Sequence, residues 1–546
     1  MPIAVLEPSW DTYVDSGLPS AITSNYGHLF IGHLSNKTVY RTYLKFNIYL
    51  PASAKITDAK LSLFIVRNDY LDIPETIDVY EVIENWNEKM VNWLNQPRWS
   101  DHPAASHNIH NNLNDYATLD LTDLVKKWAS DPGQNFGICI KARNEGDVSS
   151  LLAFNSRESI YDSYNRLIIS YEETEQTTQA ARKGKPRVAI LTPQFLEWSG
   201  DRCLFGGGER YCYDLACLLN QEGFRVEVFQ PSNQLWERTY NGMPIHGIGA
   251  SGFQQDFHVT LNCEFYKRTA DFDHHIYLNM DVMYPLAHQR AIGISHGVWW
   301  DSTERKYWRT SLWFKRLEQA ISNMRKIVSV DTNTINWVKA VFPDLGDKLV
   351  YIPNYVDLDQ FPDVEAKPRG DRIQILYPRR LHSGRGWTVS KEVARRITGR
   401  YPYVDFVFVG RGSPEAEAHM QILADTNPQI RYRWYPMEQM HQVYRPADIV
   451  IIPSLYSEGT SLSLLEAMAS RKPVIAGLVG GLTDIVIPEF NGKLIPISPD
   501  SLEQAIVELI EDPEHAAYLA YNAYVTAKHF SKEIWKKRWR AILADL

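Results

Sequence analysis

Cysteine is scarce in this 546-residue chain, with five residues at Cys139, Cys203, Cys212, Cys217 and Cys263 and no CxxC pair. That spacing argues against a zinc site and against a disulfide framework, and it fits a reducing compartment. No run approaches about eighteen apolar residues, so no membrane-spanning helix is expected. Neither sign of charge dominates: 57 Lys and Arg against 65 Asp and Glu leave −8, which gives no global reason to expect nucleic acid. The opening Met1-Pro-Ile-Ala-Val-Leu-Glu-Pro-Ser-Trp10 has neither a basic start nor a long apolar core. A signal peptide is therefore not expected, and a cytoplasmic protein is the default expectation.

What is present describes a globular chain, 44% hydrophobic and 22% charged. Its length suggests about two to four domains. The rhythm changes near residue 180. Residues 42–48, 60–66 and 136–141 read as short alternating strands separated by turn residues, the pattern of a β-sandwich or barrel. Residues 173–185 are polar and non-periodic, a linker. Beyond them, an apolar strand at 187–192, a Gly206-Gly-Gly-Glu-Arg210 turn, a helical pattern and a strand at 225–229 make one βαβ unit. The pattern restarts at 374–377 and runs through 404–410, 449–452 and 473–476. Two doubly wound halves are the economical reading, with ligands in the cleft beyond the carboxyl ends of their strands.

One segment carries more chemistry than the rest: Tyr456-Ser-Glu-Gly-Thr-Ser-Leu-Ser-Leu-Leu-Glu-Ala-Met-Ala469. Glu458 and Glu466 lie eight positions apart around a small polar turn that opens an apolar helical run. With a helix starting near Thr460, Glu466 falls two turns inside it and Glu458 stays on the loop. The N–H groups of Gly459, Thr460 and Ser461 then stand at a helix N-terminus, where a phosphate binds well. A carboxylate on either side of an anion cradle suits hydroxyl-rich groups flanking a pyrophosphate, which is the shape of a nucleotide sugar.

Several motifs accompany this segment in order: Gly206-Gly-Gly-Glu209, Ser295-His-Gly297, Ile352-Pro-Asn-Tyr-Val-Asp357, Arg380-Leu-His-Ser-Gly-Arg-Gly386, Val409-Gly-Arg-Gly412, the glutamate pair and Gly480-Gly-Leu-Thr-Asp484. As a set, residues 186–546 resemble a GT-B glycosyltransferase of the large retaining family with the Glu-x7-Glu motif. The resemblance implies a Rossmann-like half at 186–365 on the acceptor side and another at 366–520 on the donor side. A C-terminal helix at 521–546 would pack back on the first half. It also implies transfer of a sugar from a UDP- or GDP-sugar to a saccharide or glycoconjugate hydroxyl, with retention, no metal and no further cofactor.

A leaving diphosphate must be neutralised by fixed cations and N–H donors. By resemblance Arg380 and Arg385 take that role; lysine is usual at the second position, and the arginine changes the geometry from a point charge to a planar fork. Gly207 and Gly208 would let the backbone approach the pyrophosphate. Glu466 would accept the ribose hydroxyls, and Glu458 with His296 would orient the donor sugar. The same resemblance carries donor contacts to Gly410, Gly459, Thr460, Ser461 and Leu462. Ser461 stands where the family often has glycine and adds a side chain near the sugar, and Asp484 stands where it often has glutamate, with a structural role expected.

Residues 1–172 resemble the DNRLRE (disaggregatase-related) β-sandwich, a jelly-roll-like fold whose relatives are often polysaccharide-associated. The matching segments include Asp11-Thr-Tyr-Val14, Arg41-Thr-Tyr-Leu-Lys-Phe46, Asn85-Trp-Asn87, Phe154-Asn-Ser-Arg-Glu158 and Arg166-Leu-Ile-Ile169. Trp86, Trp93, Trp99 and Trp128 are the candidate sugar platforms. A carbohydrate-binding module, a homodimer contact or a protein-acceptor site are all open for this domain. The aromatic and basic stretch at 530–543 suits either packing or peripheral contact with a membrane, packing being the favoured reading, and residues 305–316 invite acceptor or lipid docking. The rival functions are a GT-B epimerase or phosphorylase and a non-catalytic carbohydrate-binding scaffold.

Overall fold

The computed structural model describes residues 3–544 except 35–36, 51–53, 70–73, 147–149, 158, 160–164, 174–184, 202–205, 250–256, 299, 302–310, 362–369, 436–438 and 457. Most of the expected linker and the first part of the 305–316 segment, like Cys203 and Glu158, lie outside the described residues. The chain divides into two compact units, one of residues 1–183 and the other of residues 184–309 and 313–546.

The first unit is rich in sheet, and all its strand pairs are antiparallel. Its organising strand is Ala54–Asn68, which pairs with Arg166–Glu173, Asp115–Asp120 and Ser150–Asn155. Along it Ala59, Leu61, Leu63 and Ile65 alternate into the core, the period-two signature of a sheet with one apolar face. A register shift opposite Ser170 and Tyr171 changes the parity, so that Ile56 is buried as well. Each of the leucines and isoleucines contributes about 1.5–3 kcal/mol on burial. One helix, Thr122–Ser130, interrupts the strands and buries Leu124, Val125 and Trp128.

Two of the four candidate tryptophans are buried. Trp128 is buried and donates to Glu81, and Trp86 is buried with its Nε1 donating to the Phe136 carbonyl at 2.7 Å. Trp93 and Trp99 are half-buried near Arg41, whose guanidinium lies 4.5 and 5.1 Å from their ring centres.

The second unit holds two sheets. In the first, Arg225–Gln230, Arg187–Leu191, His274–Tyr277, Ile292–Ser295, Lys326–Ser329 and Leu349–Tyr351 run parallel, with a hairpin, Leu235–Tyr240 and Met243–Ile248, at one edge. The second is a six-stranded parallel sheet ordered Ile430–Arg433, Val404–Val409, Ile373–Tyr377, Ile449–Ile452, Val474–Gly477, Lys493–Ile495. Numbered along the chain, that order is 3-2-1-4-5-6, and it reverses direction between Ile373–Tyr377 and Ile449–Ile452. Ligands of doubly wound sheets bind beyond the strand ends at that reversal.

The C-terminal helix Lys532–Leu543 returns to the first half of this unit. Trp535 and Trp539 share its core with the helix Gly207–Gln221, and Trp539 Nε1 donates to the Tyr211 hydroxyl at 2.9 Å. The aromatic face offered by the sequence as a membrane surface is therefore interior. No helix among the described residues is long and apolar enough to cross a membrane.

Candidate active site

The loops leaving the two strands at the reversal point bring the charged residues together. After Ile373–Tyr377 come Arg379 and Arg380, then Arg385 in a short turn; after Ile449–Ile452 come Ser454 and Glu458. Glu458 is buried, and three groups, two hydrogen-bond donors and one ion-pair partner (Arg385), converge on one of its oxygens, Oε2. They are Arg379 Nη2 at 2.7 Å, Arg385 Nη1 at 2.8 Å and the Ser454 hydroxyl at 2.6 Å. Burial alone would raise its pKa, but the two guanidiniums and the hydroxyl outweigh it and hold the carboxylate below its usual range. Glu458 is thus an ionised hydrogen-bond acceptor and unsuited to carrying a proton.

The helix Leu462–Ala469 begins two residues later than the expected start at Thr460. Ser461 is its N-cap and accepts from the Leu464 N–H at 3.4 Å, so Gly459, Thr460 and Ser461 precede the helical amides. Glu466 lies inside this helix and is buried, as its position in an apolar run requires. Its Oε1 accepts from Arg210 Nη1 and its Oε2 from the Tyr444 hydroxyl at 2.7 Å. Arg210 belongs to the other half, on the helix Gly207–Gln221. The next residue back on that helix, Glu209, reaches Arg380 at 3.5 Å.

The expected arginine pair therefore separates. Arg385 binds Glu458 and also donates to the Tyr456 carbonyl at 3.2 Å. Arg380 is 62% exposed and touches Glu209 at long range, while its unremarked neighbour Arg379 is 8% exposed and sits at the centre. The guanidinium of Arg380 lies against Gly206, where an added Cβ would fall 1.6 Å from Nη2, so in the glycine run the tightest approach is at Gly206. Gly207 has room up to Leu462 at 3.4 Å, and Gly208 has nothing within 4 Å. Gly410, at φ +153°, packs against the Arg379 carbonyl, 2.2 Å from where a Cβ would stand. That contact gives Gly410 a reason to be glycine without any ligand.

The first half closes the site from the opposite side. His296 follows the strand Ile292–Ser295, packs edge-on against Tyr211 at 5.1 Å, and has its pKa pulled down to about 4 by burial, against a hydrogen bond to the Leu278 backbone. It is neutral at pH 7, and its Nε2 has no partner among the described residues. Gly459 is pressed against the His296 carbonyl, 2.5 Å from its would-be Cβ, so any side chain there would separate the halves. Thr460 donates to the Val330 carbonyl, and Asn354 Nδ2 donates to the Thr460 carbonyl. Asp484 accepts from the Thr332 N–H at 2.7 Å and from its hydroxyl. Asp331, which no sequence argument singled out, is fully buried with Oδ2 unpartnered among the described residues, and burial pushes its pKa up to about 6.

Arg379, Arg210, Tyr444, Ser454 and Asp331 are the site residues that sequence reasoning missed. Arg379 and Arg210 had a visible signal, since each adjoins a motif residue already chosen. Tyr444, Ser454 and Asp331 had none.

Comparison with known proteins agrees with this division. Residues 360–526 match the family Glycosyl transferases group 1, and residues 2–171 match Carbohydrate-binding module family 96. The GDP-mannose-dependent alpha-(1-6)-phosphatidylinositol monomannoside mannosyltransferase of Mycolicibacterium smegmatis is 28% identical over 217 residues, 36% of this chain and 56% of that protein. The D-inositol 3-phosphate glycosyltransferase of Mycobacteroides abscessus is 38% identical over 174 residues, 28% of this chain and 39% of that protein. The chain spans about half the length, 56% and 51%, of the two Mycolicibacterium smegmatis mannosyltransferases it matches. Among solved structures, sucrose-phosphate synthase from Thermosynechococcus elongatus superposes with a TM-score of 0.55 at 18% identity, covering 66% of this chain and 100% of that one. Anabaena HepE in complex with UDP and glucose gives 0.52 at 14% identity, again covering 66% and 100%. These likenesses establish a GT-B fold for the C-terminal region.

Proposed function

We propose that the protein is a glycosyltransferase that moves a sugar from a nucleoside-diphosphate donor to a hydroxyl of a saccharide or glycoconjugate, with retention and without a metal. The observation that carries this reading is the convergence of Arg379, Arg385 and Glu458 at the sheet's reversal point, faced by Arg210, His296 and Glu209 from the other half. In it Glu466 accepts the ribose hydroxyls, beside or in place of Arg210. Arg380, exposed and only loosely paired with Glu209, turns to the leaving diphosphate, and Arg385 joins that phosphate to Glu458. Neutral His296 offers Nε2 to a sugar hydroxyl. Glu458, kept ionised, accepts hydroxyls of the donor sugar. No protein group is assigned as a covalent nucleophile.

Residues 1–172, by their disaggregatase-related resemblance, form a jelly-roll-like carbohydrate-binding sandwich in this proposal. A glycan held by a module on the same chain raises the acceptor's effective concentration. A cytoplasmic location belongs to the same reading, supported by the free thiols of Cys139, Cys212, Cys217 and Cys263. GDP-mannose, named for the mycobacterial relative, and UDP-glucose, bound in another structure of HepE, are the first donors to test. Purified protein incubated with a panel of UDP- and GDP-sugars, in EDTA and then in magnesium, should slowly release one nucleoside diphosphate in both buffers. Release only with magnesium would overturn metal independence, and no release or binding with any donor would overturn the transferase reading.

A further inference from the structure

We propose that Arg379 is a positioning residue for the donor sugar, clamping Ser461 and the Oε2 edge of Glu458 together so that Oε1 is presented to the sugar's hydroxyls. The inference rests on the transferase reading and concerns a residue that the family resemblance does not assign.

Its geometry is specific. One terminal nitrogen of Arg379 donates to the Ser461 hydroxyl at 2.5 Å and the other to Glu458 Oε2 at 2.7 Å. A planar guanidinium spans two acceptors in one plane, which a lysine ammonium does not do. The loading on Glu458 is one-sided: Arg379, Arg385 and Ser454 all reach Oε2, and among the described residues none donates to Oε1. A carboxylate pinned by one oxygen keeps the other in a fixed place and free to accept.

The backbone of Arg379 is itself constrained. Its carbonyl lies against Gly410, and the N–H of Leu381, two residues on, donates to the Arg411 carbonyl at 2.8 Å. Ser461, the one side chain by which the glutamate loop departs from the resemblance's glycine, is therefore not a spare group beside the sugar. It is the second anchor of the clamp and also the N-cap of the helix that carries Glu466. Arg379 thus ties together the carboxylate proposed for the sugar and the helix bearing the carboxylate proposed for the ribose.

The consequence has two parts. Without Arg379 the Glu458 carboxylate loses one orienting contact, so donor binding weakens. It also loses one of the two cations that oppose the effect of burial on its proton affinity, so its protonation moves to higher pH. A merely structural role for Arg379 would change stability and leave the second effect absent.

The test compares the full-length wild type with Arg379→Met, Arg379→Lys and Ser461→Ala, measuring nucleoside diphosphate release across pH with the donor that the wild type consumes. Arg379→Met is expected to raise the donor KM about tenfold or more and to shift the acid limb of kcat/KM to higher pH. Arg379→Lys should restore the wild-type acid limb while recovering only part of the KM, because the charge returns without the fork. Ser461→Ala, which leaves the charge in place, should raise KM by a few-fold, about threefold, with no change in the limb. A folded Arg379→Met enzyme with the wild-type acid limb would overturn the proposal. If Arg379→Met does not fold, Ser461→Ala with wild-type KM overturns it. A wild type that neither consumes any donor nor binds UDP or GDP would instead remove the transferase reading itself, and this inference with it.

Discussion

Glu458 and Glu466 are the same residue type, both buried, eight positions apart, yet they are held in opposite ways. Glu458 is gripped on one oxygen by two hydrogen-bond donors and the Arg385 ion pair, all from its own half of the GT-B unit. Glu466 is held by one donor per oxygen, and one of the two, Arg210, comes from the other half. The first arrangement fixes a carboxylate in advance and leaves an edge open. The second makes a carboxylate the meeting point of the two halves, so that what binds there is coupled to how they close.

The largest effect is expected at Glu458. Glu458→Gln keeps the shape but leaves the buried Arg379 and the half-buried Arg385 together without an anion. Removing one partner from a buried ionic group costs about 3–5 kcal/mol, so denaturant unfolding should show a loss of that order. Donor turnover should fall about 10²–10³-fold. Glu466→Ala is expected to act differently: the donor KM rises about 10–100-fold with kcat far less affected, since ribose binding is common to ground and transition states.

A double-mutant cycle sharpens the contrast further. Arg210→Met combined with Glu466→Gln should reveal a coupling of about 1–3 kcal/mol in unfolding free energy, because both groups are buried. The parallel cycle of Arg380→Met with Glu209→Gln should give about 0–1 kcal/mol, as expected of an exposed arginine at 3.5 Å. Equal couplings would mean that the two inter-half pairs do not differ in kind.

The smallest effect is on pH dependence. Glu458 has a depressed pKa in the folded state, so its contribution to stability is complete above the unfolded value of 4.5 and is lost as pH falls through the folded one. The stability gap between wild type and Glu458→Gln should stay constant from neutral pH down to that value and narrow below it. Burial also depresses His275 to about 3 and His288 to about 4, the His275–His288 stacking at 3.7 Å adding to the effect on His275. Their contribution is complete above 6.5 and declines as pH falls, so the absolute stability of both proteins drops over the acid range while the gap isolates Glu458.

How much of this was legible in the sequence differs between the same two carboxylates. The glutamate pair, the parallel strands and the position of Arg385 follow from spacing and from strand–helix alternation, which are local. Which of Arg379 and Arg380 turns inward is not local: it depends on the backbone at Gly410, 31 residues away, and two adjacent arginines look alike until that packing exists. Arg210 meets Glu466 across 256 residues, so its role could be seen only after the halves came together. The helix start slipped by two residues because Thr460 and Ser461 are both good N-caps, and Thr460 is instead drawn to the Val330 carbonyl. The tryptophans of the first unit divided for a similar reason, since the sequence does not say what packs against a ring in a loop such as that of Trp86.

The most direct test is calorimetric titration of wild type, Glu466→Ala and Glu458→Gln with the matched nucleoside diphosphate and with its nucleotide sugar. The account predicts that Glu466→Ala weakens both ligands alike, whereas Glu458→Gln leaves the diphosphate bound and abolishes the preference for the sugar-bearing form. Equal weakening of the free diphosphate by both substitutions, or no weakening by either, would contradict it.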